Sequence, residues 1–369
     1  ENLLSEIPTI LVDTSKPSML PDLVKDSRCI LTTVGPFERY GSGVVEACAK
    51  YGTHYVDTTG EVGWVNTMQL AWQETAQKTG AKIVSLCGND SIPCDITTMQ
   101  VEKFLADRGE TLIKMETLYE WIQGLSGGTL ATAKLGLSGK SRQDPKYVFD
   151  ANYRLADGTE SPAKTDLSQV SLIPRNTGWS GRYAKWTKSF TVMHNVNGRV
   201  VQRSHALRNH GNKNPQPLVY QECEAVQDFK SGFVNTVSFF LTFGLMAIPP
   251  TRALLSQILP KQGEGPSRKN MFETSYCALS GQGTGSKGTK VQSVLYFDKC
   301  VGYASTARMI VESALCLALS KSSTRTGSLT LPSGEEGGFF TPSTGLGSAL
   351  VDRLVSSKTC YFALKEVKE

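Results

Sequence analysis

Three loops in the N-terminal part of the chain gather the side chains best suited to chemistry. They are Thr33-Val34-Gly35-Pro36, Asp57-Thr58-Thr59-Gly60-Glu61 and Asn89-Asp90-Ser91-Ile92-Pro93. Asp57, Glu61 and Asp90 are carboxylates of the kind that exchange protons with a ligand. Glycine and proline also serve as turn punctuation, and Asp90 can equally cap a helix that begins near Pro93. It is the repetition of the pattern in three successive loops that points to a site.

The elements around these loops read as strand, turn and helix, three times over. Cys29–Val34, His54–Thr58 and Lys82–Leu86 are short apolar runs, separated by helical stretches at Gly43–Lys50 and Val65–Thr79. Such alternation predicts a parallel sheet covered on both faces, with ligands at the carboxyl ends of the strands. Pro8–Val12 reads as a further strand that ends at Asp13. Asp13 is placed like an acidic residue that binds a ribose hydroxyl, or like a cap for the next turn. No glycine-rich turn and phosphate-binding helix precede it, so the expectation is a doubly wound domain whose first βαβ portion is missing.

The chain has 369 residues, is 40% hydrophobic and 20% charged, and carries a net charge of +5. That composition suits one large or two medium globular domains. The bases are scattered and form no nucleic-acid motif, so nucleic-acid binding is not expected. Nine cysteines without a C-x-x-C pair fit reduced, buried thiols in an intracellular protein. The four histidines lack zinc-ligand spacing, and no metal site is expected.

Beyond the first sheet, Ile96–Leu105 reads as a helix and Thr111–Ile122 as a strand. Ser189–Val196 and Arg199–His205 flank Asn197-Gly198, which predicts a hairpin. Leu218–Val226 reads as a strand, and Met271–Ser280 with Thr289–Phe297 as a second hairpin. No Lys, Arg, Asp or Glu occurs between Lys230 and Arg252. This apolar segment, 231–251, approaches the length of a bilayer span, yet polar residues and Pro249-Pro250 interrupt it. It is expected to dip into one leaflet or to be buried at a subunit interface. Val301–Leu319 reads as a long helix, 324–338 as a loop, and Thr341-Pro342 as the start of a closing helix.

Two motifs need their context. Gly283-Thr-Gly285-Ser-Lys-Gly288 matches a dinucleotide fingerprint, but both flanks read as strands, which makes it a hairpin tip. Gly124-Leu-Ser126-Gly127-Gly128 matches a nucleophile elbow, but no histidine follows in a suitable loop. The amides of Gly127, Gly128 and Thr129 either hold a ligand oxygen or cap a helix.

Seven stretches carry a resemblance. They are VGPFERYGSGVVEAC at 34–48, GTHYVDTTGE at 52–61, CGNDSIPCD at 87–95, SGGT at 126–129, PKQGEGPS at 260–267, GYASTARMIVESALCLAL at 302–319 and GGFFTPSTGLG at 337–347. Together they resemble the saccharopine dehydrogenase-like oxidoreductases, in family order from end to end. The resemblance implies an α/β fold: a Rossmann-type doubly wound sheet with a second α+β domain containing antiparallel hairpins. The expected boundaries are a partial NAD(P)-binding domain at 1–105, a substrate and dimerisation domain at 106–300, and C-terminal helices returning to the first domain at 301–369. The family includes enoyl reductases acting in trans on glycolipid precursors, and members associated with lipid droplets and membranes. Two departures stand out. The family's glycine-rich N-terminal loop is absent from the sequence, and its usual GFDSIP is here GNDSIP.

On this reading the chain is an NAD(P)H-dependent oxidoreductase that reduces an enoyl or keto group of a lipid-linked substrate. Asp13, Thr33, Val34, Gly35, Pro36, Gly60 and Ser91 would bind the cofactor. Ser126, Gly127, Gly128 and Thr129 would face the substrate. Tyr40 and Asp90 are the candidate proton donors. Expected partners are a lipid-like small molecule, a membrane or lipid-droplet surface through 233–260, and a second copy in a homodimer. The alternative is a catalytically inactive scaffold of the same fold at such a surface.

Overall fold

The computed structural model describes residues 7–89, 91–122, 175–176, 186–188, 193–209, 217–258, 260–261, 264–319 and 337–367. A short helix α1 (Leu20–Val24) leads into β1 (Cys29–Thr32), α2 (Phe37–Tyr40), α3 (Ser42–Tyr51), β2 (His54–Asp57), α4 (Val62–Thr79) and β3 (Lys82–Val84). Gly52 and Gly80 end α3 and α4 in the left-handed region, the usual glycine stop for a helix. The strands pair in parallel, with Thr32 opposite Asp57 and Val56 opposite Val84. Their carboxyl ends therefore lie along one edge.

Alternation along these strands sends neighbouring residues to opposite faces. Tyr55 and Ile83 join one core with α3 and α4, while Val56 and Val84 join a second. Both faces are covered, which is why the strands read as unbroken apolar runs. The predicted strand at Pro8–Val12 is not formed. Ile10 and Leu11 are exposed there. Among the described residues β1 pairs only with β2, so the segment gains no strand partner.

The next helix, α5 (Ile92–Ala106), carries Pro93 in its first turn and extends the Ile96–Leu105 stretch at its start. It is followed by β4 (Leu112–Ile122), β5 (Arg175–Asn176) and β6 (Trp186–Lys188). The predicted hairpin around Asn197-Gly198 is instead a helix, α6 (His194–Arg208). Its buried residues Asn197, Val200, Val201, Ser204 and His205 recur at helical spacing. Part of that face is polar, so the apolar residues alone looked like alternation.

Then come β7 (Val219–Val226), α7 (Phe229–Ala247), α8 (Pro249–Ile258), β8 (Tyr276–Gly285) and β9 (Lys290–Phe297). Helix α9 (Thr306–Ala318) packs on β1 and β2. Two strands that the sequence reading missed follow, β10 (Gly338–Phe340) and β11 (Tyr361–Glu366), with α10 (Pro342–Ser356) between them. β10 pairs in parallel with β3, placing a strand where a loop end was expected. β11 pairs with β9 in the other sheet, so the C-terminal part is more than helices.

The second sheet has the order β11-β9-β8-β4-β7-β6-β5. It is mixed: β8 and β9 form the expected antiparallel hairpin, but β7 runs parallel to β4. Helix α5 lies against β4, β8 and β9 and is buried on nearly every side. Glycines make this approach possible. A Cβ on Gly283 would stand 2.4 Å from Val101, and one on Gly285 2.9 Å from Leu105. Gly283 and Gly285 thus admit a helix onto β8, and with Gly288 in the turn to β9 they stand outside the context a pyrophosphate needs.

The apolar segment forms α7 and α8. Asp228 caps α7 by accepting from the Ser231 N–H at 2.7 Å. Ile248, preceding Pro249, is extended and ends the helix. Arg252 donates to the Met246 and Ala247 carbonyls and holds the corner. No single helix among the described residues is long and apolar enough to cross a membrane. The α7–α8 pair reaches that length and composition only across a bend of 115°.

Candidate functional site

The three loops meet along the carboxyl edge of the parallel sheet. Thr33 and Val34 are exposed at the end of β1, and Pro36 precedes α2. Glu61, at the end of the second loop, reaches back to the first. Its Oε1 accepts from the Phe37 N–H at 3.0 Å and its Oε2 from the Glu38 N–H at 2.8 Å. Burial, with a smaller contribution from Glu38, raises the Glu61 pKa, and the two N–H donors oppose the rise. Gly60 lies between Glu61 and Thr59, whose Oγ accepts from the Glu61 N–H at 3.0 Å.

Asp57 ties the second loop to the third. One oxygen accepts from the N–H groups of Thr59 and Leu86, at 3.0 and 3.1 Å, and the other from the Ser85 hydroxyl at 2.9 Å. It is fully buried, and burial pushes its pKa up to about 6. Both carboxylates that looked free to act on a ligand are therefore engaged in holding the loops together.

The third loop meets α9. The Asn89 N–H donates to Thr306 Oγ1 at 3.0 Å, and Thr306 donates to the Val301 carbonyl at 2.8 Å. Gly88 permits this, since a Cβ there would sit 2.9 Å from Thr306 Cγ2. Asn89 is 6% exposed, yet its Oδ1 has no hydrogen-bond partner among the described residues. A buried acceptor left unpaired carries a penalty of about 1–3 kcal/mol. A ligand amide N–H arriving at this edge would remove that penalty.

Ser91 is fully buried and precedes α5. Behind it lies a cluster of buried polar groups: Cys94 from α5, Tyr119 from β4, Asn197 from α6, and Tyr220 and Glu222 from β7. The sequence reading missed Asn197 and Glu222. The signal available was the recurrence of Asn197, Ser204 and His205 at helical spacing with Val200 and Val201.

Among the remaining candidates, Asp13 holds a turn. It accepts from the Ser15 N–H at 3.0 Å and the Ser15 hydroxyl at 2.6 Å. Tyr40 is partly exposed at the end of α2. Asp90, Ser126, Gly127, Gly128 and Thr129 lie outside the described residues. Among the described residues, no group of His, Cys, Asp and Glu could hold a metal ion. A cavity of about 590 Å³ lies at the opposite edge of the sheet, lined by Lys25, Arg28, Tyr51, His54 and Leu317 among others. It opens by the residues that lead into the strands, away from the edge where such sheets bind ligands.

No protein-family model matches the chain. A trans-acting enoyl reductase of Mycobacterium ulcerans (strain Agy99) is 30% identical over 376 residues, covering 95% of this chain and 84% of that protein. One from Mycobacterium leprae (strain TN) is 29% identical over 366 residues, covering 95% and 83%. Among solved structures, apo saccharopine dehydrogenase (L-Glu forming) from Saccharomyces cerevisiae matches with a TM-score of 0.50 at 11% identity, covering 97% of this chain and 89% of that one. That likeness is one of fold.

Proposed function

This chain belongs to the saccharopine dehydrogenase-like oxidoreductase family that includes the mycobacterial trans-acting enoyl reductases, and we propose that it reduces the carbon–carbon double bond of a lipid-linked enoyl thioester with NAD(P)H. The observation that carries this reading is the buried Oδ1 of Asn89, in the loop after β3, which has no hydrogen-bond partner among the described residues. It suits the carboxamide N–H of a nicotinamide. The departure from the family's GFDSIP pattern would then be a contact to the cofactor.

When bound, the cofactor supplies a hydride, which adds to the β-carbon while a proton goes to the α-carbon. The chain's own part is to bind and orient. The exposed Thr33–Pro36 turn would lie along the dinucleotide, with Gly60 beside it. Glu61 and Asp57 keep the three loops in register. Ser91 would stand behind the nicotinamide, and Tyr40 or Asp90 would give the proton. Ser126 to Thr129 would face the acyl group, and Asp13 the ribose.

The test is a calorimetric titration of the full chain with NADH and NADPH. An assay with an enoyl thioester, following absorbance of the reduced cofactor, completes it. Oxidation of cofactor with a saturated product supports the reading. Turnover of a keto-lipid alone would redirect it to carbonyl reduction, and binding of neither cofactor would overturn it.

A second reading concerns location, and one observation favours it. Phe233, Val237, Phe240 and Leu241 of α7 are exposed, and so is Leu254 of α8. Apolar side chains left exposed at this helical spacing suit contact with an apolar partner. Insertion into one leaflet of a membrane or lipid-droplet surface would bring the enzyme, or a non-catalytic scaffold of this fold, to lipid-like molecules. Flotation with phosphatidylcholine vesicles tests it. Dimerisation without flotation would assign the face to a second copy.

A further inference from the structure

The polar groups behind Ser91 form a directed chain that ends at the cofactor loop. Glu222, on β7, is fully buried. Its carboxylate accepts from the Tyr220 hydroxyl at 3.1 Å and the Cys94 thiol at 3.5 Å. It also accepts from Asn197 Nδ2, at 3.2 Å to one oxygen and 3.1 Å to the other. That double contact decides how the amide lies. A carboxylate accepts only, so Asn197 must turn its donor nitrogen to Glu222 and its oxygen away. The oxygen meets the Ser91 hydroxyl, which donates to it at 3.5 Å. Ser91 is the residue before α5 and follows Asn89 by two positions.

We propose that Asn197, oriented by Glu222, is a positioning residue for the nicotinamide end of the cofactor site. The chain Glu222, Asn197, Ser91 fixes the start of α5 from the second sheet. It thereby holds the loop that presents Asn89. The proposal rests on the reading of these strand-end loops as the cofactor site. A chain that merely filled the core would stabilise the fold without favouring any part of the ligand.

The two roles separate when binding of NAD(P)H is compared with binding of ADP-ribose or its 2′-phosphate, which lack the nicotinamide. Asn197→Asp keeps the size but sets a carboxylate against Glu222, so the amide's orientation is lost. The expected result is a loss of about tenfold in affinity for NAD(P)H. Affinity for the ADP-ribose fragment should stay within about twofold. Glu222→Gln on the Asn197→Asp background restores a donor facing an acceptor and should recover most of the loss.

Circular dichroism checks that each variant is folded. Should Asn197→Asp fail to fold, Glu222→Gln alone makes the same comparison, with a smaller selective loss expected because either end of its amide can face Asn197. Equal weakening of both ligands, or of neither, would overturn the proposal while leaving the cofactor site standing. Failure of the wild-type chain to bind either ligand would overturn the cofactor site, and this inference with it.

Discussion

The carboxylate of Glu61 receives the backbone N–H of Phe37 at 3.0 Å, joining the loop after β2 to the helix that follows β1. Its other oxygen takes the N–H of Glu38. One side chain thus satisfies two backbone donors that a helix start leaves without partners. Glu61→Gln retains a single acceptor oxygen and turns an amide nitrogen toward the second N–H. We expect a loss of about 1 kcal/mol in stability, the worth of one such bond. We also expect a several-fold weaker Kd for NAD(P)H, because the Thr33–Pro36 turn would loosen. Chemical denaturation and fluorescence titration measure the two effects. An unchanged midpoint and Kd would show that the bridge is idle.

Asp57 leads to a pH prediction. Burial lifts its carboxyl from an ordinary 3.8 to about 6 in the folded protein. Between these values the folded state holds a proton that the unfolded state has released. Stability from this group therefore falls as pH rises from about 4 to about 6, and is level above that range. Asp57→Asn is neutral and keeps an acceptor for the Thr59 and Leu86 N–H groups. The wild type should gain stability relative to this variant as pH is lowered from about 7 to about 5. Parallel stability curves for the two proteins across that range would refute the assignment.

Gly88 and Thr306 form a pair that a double-mutant cycle can resolve. Gly88→Ala places a methyl 2.9 Å from Thr306 Cγ2 and should destabilise the protein by about 1–3 kcal/mol. Thr306→Ser removes that methyl but keeps the hydroxyl that accepts from the Asn89 N–H. The double variant should recover the larger part of the loss, which makes the pair non-additive. Strict additivity would place the strain elsewhere.

Asn89 should show opposite signs in two measurements. Asn89→Leu removes a buried acceptor that has no partner among the described residues, so the ligand-free protein should gain about 1 kcal/mol. The same change should weaken NAD(P)H binding, since the carboxamide contact goes with it. If thermal stability and cofactor affinity fall together, Asn89 is serving the fold and not the ligand.

On α7, Phe233→Asp with Phe240→Asp should abolish vesicle flotation while leaving the circular dichroism spectrum unchanged, because both side chains are half exposed. Flotation that survives both substitutions would locate membrane contact elsewhere.

Residues 28–95 were legible from the sequence because their signals are local. Cys29–Thr32, His54–Asp57 and Lys82–Val84 are apolar runs whose neighbours are turn residues and helices of helical period. The β8–β9 hairpin was legible for the same reason. Helix α6 was not, since Asn197-Gly198 is a strong turn signal and half of its buried face is polar. β10 was not either: three residues carry too short a pattern, and only its pairing with β3 makes them a strand.

The sequence by itself determined the order of elements around the three loops and the chemical types gathered in them. Periodicity and turn chemistry act over a few residues and can be read without the fold. The tertiary structure alone decided what those residues do. It buried Asp57 and Glu61 as ties between loops and set Thr306 under the Asn89 backbone from 217 residues away. It also brought Asn197 and Glu222 together behind Ser91. Hydrogen bonds between polar groups from separate elements leave no period in the chain. They exist because burial removes water and requires each such group to find a partner in the folded protein.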